Sequence, residues 1–207
     1  MIRVFSLPFK CSTLLFVLSF SFSLIVISDN VTASTGFEFA EKTDEKLKIV
    51  VLKPRGTMRG VEASQLLDVE FKYILSAVTD YSNHKEFMPN VDRSKIVKEE
   101  KGVQWVDQEL DFGLFDVEYV LKMTKTYSSK HKTAKIEWIR ASGEMKQIEG
   151  KWLLAKKGNK VAVKYESFVD PGLAIPAWIQ DLLTEGAVPE LFEAVFKRAK
   201  HLASTKK

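Results

Sequence analysis

One cysteine, three histidines and six prolines are spread over 207 residues, and these scarcities exclude much chemistry. Cys11 lies in an apolar N-terminal run, so the chain beyond it has no disulfide, no thiol nucleophile and no cysteine metal site. His84, His131 and His201 stand far apart, without the His–His or His–carboxylate spacing of a metal site. There is no Gly-x-Ser-x-Gly elbow, no phosphate loop and no dinucleotide fingerprint. No catalytic residue, metal or cofactor is therefore expected. Neither charge sign dominates: 31 Lys and Arg face 27 Asp and Glu, a net charge of +4. Basic residues are not interleaved with regularly spaced aromatics, which speaks against nucleic acid as a partner. The one basic cluster, Lys197, Arg198, Lys200, His201, Lys206 and Lys207, falls at the end of a helical pattern, where cations compensate the helix dipole. Its other use would be a transient membrane contact.

The first thirty-three residues read as an export signal. Arg3 and Lys10 precede an apolar run from Cys11 to Ile27, and Val31-Thr32-Ala33 offers small residues for cleavage after Ala33. An uncleaved membrane anchor is the alternative, although the run is shorter than the about 20 residues a span requires. The expected location is outside the cytoplasm, and the scarcity of cysteine in an exported chain points to a periplasm. Residues 34–56 read as a polar N-terminal extension carrying one short apolar run, Lys48 to Leu52, and residues 57–203 as one domain. About 160 residues suffice for one hydrophobic core and not for two. Oligomeric state is left open.

Within that domain the dominant pattern is alternation. From Phe115 to Met123 every odd position is apolar, the period of a strand with one buried face. Similar runs are expected at 58–67, 94–99, 103–112, 115–127, 133–141, 146–156 and 160–169, punctuated by Lys101-Gly102, Gly113, Ser142-Gly143 and Lys157-Gly158-Asn159. Two short helices, 69–79 with Asp68 as cap and 83–88, separate the first of these strands from the rest. After Asp170-Pro171-Gly172 the period changes: Val188, Leu191, Phe192, Val195, Ala199 and Leu202 form one helical stripe. Pro189 lacks an amide donor and should mark a kink or a fresh helix start. With Gly186 it would also suit a hinge, making this helix a lid. The fold class is α+β, a long antiparallel sheet curved around one C-terminal helix, and a space between them suits an apolar small molecule better than it suits chemistry.

Several segments resemble one superfamily. Asp80-Tyr81, followed by Phe87, Pro89 and Val91, is similar to the "DY-x-x-x-x-x-F-x-P-x-V" segment of START-like proteins in their polyketide cyclase and coenzyme Q-binding branch. Gly150-Lys151-Trp152-Leu153-Leu154 resembles the family's "G-x-W-x-L" strand, and Val163-Lys164-Tyr165, Asp170-Pro171 and Ile175-Pro176-Ala177-Trp178 resemble its last strand and the approach to its final helix. The likeness covers residues 57–202. It implies a helix-grip fold around an apolar cavity, with sterols, phospholipids, quinones or polyketides as ligands and cyclisation or dehydration in a minority of members. A ribosome-associated role, which some intracellular members have, conflicts with the export signal.

If the alternation holds, Tyr119, Leu121 and Met123, then Ile136, Trp138 and Arg140, then Trp152 and Leu154, and then Tyr165 face inward. Trp178, Leu182 and Phe192 would add the helical wall. These twelve residues are the candidate cavity lining for a hydrophobic or lipid ligand, and ordinary core packing is the competing role for each. Arg140 is the sharpest of them, because a guanidinium on an inward face needs a carboxylate from the 103–112 strand or an anionic ligand. Asp107, Glu109 and Asp111 alternate on one face of that strand, in phase with Val103 and Trp105, so their side is ambiguous. The rival function is a cyclase/dehydratase enzyme with Arg140, Tyr119 or a strand carboxylate as acid/base. A surface adaptor with a filled core is a third.

Overall fold

The computed structural model describes residues 43–113, 115–172 and 186–205. The export signal expected at 1–33, and the candidates Trp178 and Leu182, lie outside the described residues. Eight strands form one sheet: β1 (Lys48–Arg55), β2 (Met58–Leu67), β3 (Val91–Glu100), β4 (Val103–Asp111), β5 (Asp116–Ser128), β6 (Thr133–Gly143), β7 (Gln147–Lys157) and β8 (Lys160–Asp170). Their order in the sheet is β1-β2-β8-β7-β6-β5-β4-β3, and every neighbouring pair is antiparallel. Hairpins account for the whole run from β3 to β8. The sheet begins at Lys48, so the short apolar run of the N-terminal extension is its first edge strand, paired with β2.

One connection is not a hairpin. β2 lies next to β8, whereas β3 forms the opposite edge, so the chain between them must cross the sheet. It crosses as α1 (Phe71–Thr79), a 3₁₀ turn (Tyr81–Asn83) and α2 (His84–Phe87). Phe71, Tyr73, Ile74, Ala77 and Val78 give α1 its buried face. Asp68 does not cap this helix: it starts two residues later, after Glu70, because Val69 is buried and its amide donates to the Leu67 carbonyl at 3.1 Å. The last helix, α3 (Val188–Ser204), has Pro189 in its first turn, where a missing donor costs nothing, and buries Val188, Phe192, Val195 and Ala199. It packs beside α1 over the same face of the sheet.

An ion pair ties the crossing to α3. Arg198 Nη2 lies 2.7 Å from the Asp80 carboxylate, which also accepts from Asn83 at 2.7 Å, and the guanidinium sits 5.1 Å from the centre of the Phe87 ring. The basic C-terminal cluster therefore includes one structural cation. Arg198→Ala should lower unfolding free energy by about 1–2 kcal/mol, between exposed and buried pair values, as read by urea denaturation. Lys197→Ala, whose partner Glu193 is exposed on the same helix, should change it by less than about 0.5 kcal/mol.

Gly150 occupies a position where a side chain does not fit. A Cβ there would overlap the Trp138 ring and the Glu166 carbonyl oxygen. The glycine lets Trp138 lie flat across β7, where its ring stacks on Tyr165 with centroids 5.6 Å apart. Gly150→Ala should therefore displace Trp138 and cost about 1–3 kcal/mol, the usual range for overpacking. Near-ultraviolet dichroism together with the denaturation midpoint checks both effects.

Candidate functional site

Between the concave face of the sheet and the helices lies a cavity of about 190 Å³. Cross-strand register builds its sheet side. Val106 opposes Leu121 and Gln108 opposes Tyr119, so β4 and β5 turn these four side chains to one face. Tyr119, Leu121, Met123, Trp138, Trp152 and Tyr165 all line the space. The Trp152 and Tyr165 rings are 4.7 Å apart, and Trp152 reaches Phe192 on α3 at 5.5 Å. Val78, Tyr81, His84 and Met88 supply the helical side, and Leu191 contributes from α3. Half-exposed Asn90, Leu110, Phe112, Ile148 and Leu191 mark the rim. Asn90 turns the chain there with φ of 59°, a conformation asparagine tolerates.

Six of the twelve sequence-derived candidates thus border the cavity. Ile136, Leu154 and Phe192 are buried in the core behind that wall. Arg140 keeps the phase of Ile136 and Trp138, opposite Leu121 on β5, but does not line the cavity. The β6–β7 ladder ends at Ile139 opposite Glu149, so Arg140 has no β7 neighbour and sits on an exposed part of its strand. Its guanidinium donates to the Gly143 carbonyl at 2.6 Å and needs no buried counter-charge.

The strand carboxylates also resolve. Asp107 and Glu109 face away from the cavity and meet Arg93, which reaches Glu118 as well at 3.2 Å. Trp105 shares that outer face under the ammonium of Lys98, 4.5 Å above its ring. Among the described lining residues there is no Lys, Arg, Asp or Glu. Among the described residues, no three His, Cys, Asp or Glu side chains converge as metal ligands.

What polar character the cavity has is neutral and buried. Gln108 Nε2 donates to Ser94 Oγ at 3.2 Å and lies 3.3 Å from His84 Nδ1. The His84 ring is held edge-on to Tyr81 and Phe87, with centroids 5.4 and 5.5 Å away. Burial lowers its pKa to about 4, against a smaller opposing pull from the Asp80 carboxylate. Burial likewise raises Tyr119 and Tyr165 above the ordinary phenol range, so both remain protonated. Sequence reasoning considered His84 only as a metal ligand and missed Gln108. The available signal was the phase of Val106, Gln108 and Leu110 against the carboxylate row.

A curved antiparallel sheet gripping a C-terminal helix over an apolar cavity defines a START-type helix-grip protein. Residues 67–196 match the family described as polyketide cyclase / dehydrase and lipid transport, and the chain belongs to that family. Solved structures agree on the fold. A STAR-related lipid transfer protein from Xanthomonas axonopodis is 17% identical with a TM-score of 0.65, over 80% of this chain and 99% of that one. Human StAR-related lipid transfer protein 5 is 7% identical with a TM-score of 0.67, over 82% and 89%. The Zhui aromatase/cyclase from Streptomyces sp. R1128 is 14% identical with a TM-score of 0.56, over 69% and 94%. No curated protein matches the chain in sequence.

Proposed function

We propose that this protein binds and carries a hydrophobic small molecule, a lipid, isoprenoid or polyketide-like compound, outside the cytoplasm. The observation that carries the reading is the lining: aromatic and aliphatic walls, a few neutral hydrogen-bonding groups and no charged side chain among the described lining residues. Such a surface desolvates an apolar ligand at little cost and orients it through few polar contacts. The structures named for lipid transfer share the fold and support the binding reading by likeness.

The cyclase alternative is weaker on particular residues. Arg140 is exposed and bonded to the Gly143 carbonyl, and Asp107 and Glu109 face Arg93 on the outer side of the sheet. Burial keeps the Tyr119 phenol protonated and so unsuited to act as a base. The export reading rests on residues 1–33.

Organic extraction of protein purified from its native host, followed by mass spectrometry, should recover a lipophilic compound in stoichiometric amount. Recovery of none, with no uptake of fluorescent lipids, would sink the binding function. The same preparation should begin at Ser34 and fractionate with the envelope or periplasm. An intact N-terminus in the cytosolic fraction would count against export alone.

A further inference from the structure

Among the described residues, His84 holds the one buried side-chain nitrogen or oxygen left without a hydrogen-bond partner. Its Nε2 is buried with no partner in the protein, and the ring belongs to the cavity wall. The tautomer follows from its neighbour. An amide nitrogen donates and does not accept, so Gln108 Nε2 gives one hydrogen to Ser94 Oγ and the other to His84 Nδ1. Nδ1 is then the acceptor and Nε2 carries the proton. Cross-strand register places Ser94 opposite Gln108, and the edge-on rings of Tyr81 and Phe87 hold the imidazole from the other side. The fold thus fixes a neutral donor, and a buried N–H without an acceptor is costly.

Resting on the binding reading above, we propose that His84 Nε2–H is the recognition point for a carbonyl oxygen on a neutral, ring-sized head group of the ligand. Ser94 and Gln108 act as positioning residues that set the tautomer. Neutrality follows from the lining, since a carboxylate or phosphate would enter with no counter-charge among the described residues there. Size follows from the volume. About 190 Å³ is somewhat more than the about 150 Å³ of a cavity known to hold benzene, so one substituted ring fits and a longer tail must pass the rim.

Three one-ring probes test this by nuclear magnetic resonance titration of the purified protein at neutral pH. Acetophenone carries the carbonyl, α-methylstyrene has the same shape without the oxygen, and benzoate carries a charge. Acetophenone should bind and shift the His84 Nε2–H resonance, and α-methylstyrene should bind without that shift. Benzoate should bind at least tenfold more weakly than acetophenone. His84→Phe, which keeps an aromatic ring against Tyr81 and Phe87, should weaken acetophenone about tenfold, the fold-change of one hydrogen bond, and leave α-methylstyrene within twofold. Gln108→Leu, which keeps the imidazole but frees its tautomer, should weaken acetophenone selectively by several-fold. Equal losses for acetophenone and α-methylstyrene in both variants overturn this inference and leave the cavity a binding site. Benzoate binding as tightly as acetophenone also overturns it. Failure of both neutral probes to bind the wild-type protein overturns the inference and the binding reading together.

Discussion

Phe192→Ala should cost about 3–5 kcal/mol of unfolding free energy, the range for deleting a buried aromatic ring from a core. Phe192 is 2% exposed and packs against Trp152, whose ring in turn meets Tyr165. It is therefore where α3 and the sheet interlock. Leu202→Ala, on the same stripe but half-exposed at the helix end, should cost less than about 1.5 kcal/mol. Urea denaturation of the two variants checks the contrast. If Phe192→Ala loses no more than Leu202→Ala, the helix is not held where the ring contacts place it.

Acid should destabilise the protein through His84. Its folded pKa, lowered by burial to about 4, lies below the ordinary value of 6.5. Below pH 6.5 the unfolded chain takes up a proton that the folded one refuses, so stability falls as pH drops toward 4 and levels off below it. The sign is that of a group whose neutral form the fold prefers. Between pH 7 and 4.5 the loss should be about 2–3 kcal/mol. Other groups that titrate in this window contribute to wild type and to His84→Phe alike, so the difference between them isolates the imidazole. Guanidinium denaturation at both pH values measures it, and equal losses in the two proteins would place the acid sensitivity elsewhere.

Most of the fold is legible in the sequence because its elements are long and strongly periodic. The strand runs carry alternation over many residues, and α3 carries its stripe over four turns, so local pattern and tertiary packing ask for the same thing. The cavity's aromatic wall follows from the same alternation. The places where reading residues in order falls short all depend on partners far away in sequence. Arg140 continues the phase of Ile136 and Trp138, and only the end of pairing with β7 leaves it outside. The side of Asp107 and Glu109 was undecidable beside Val103 and Trp105, because an outward tryptophan is held there by Lys98 from β3. His84 opens the four-residue α2, which is too short to show a period. Its role appears only when β4 brings Gln108 to its ring.

The sheet is open, so among the described residues β1 and β3 each have one side without a strand neighbour. A free edge invites another chain to add itself, the first step toward aggregation. β1 exposes Val50 and Val51, and β3 exposes Ile96 and Val97 along its length. β3 departs from regular register twice, between Val91 and Arg93 and between Ile96 and Lys98. Each irregularity breaks the even row of amides and carbonyls that an incoming strand would have to match. Lys95 and Lys98 flank the apolar pair with positive charge, so two such edges repel before they can align. On the proposed function, loading and unloading an apolar ligand would expose an oily interior each time, so the outer borders need to be unattractive, and this border is kept so by misregistered backbone and lysine.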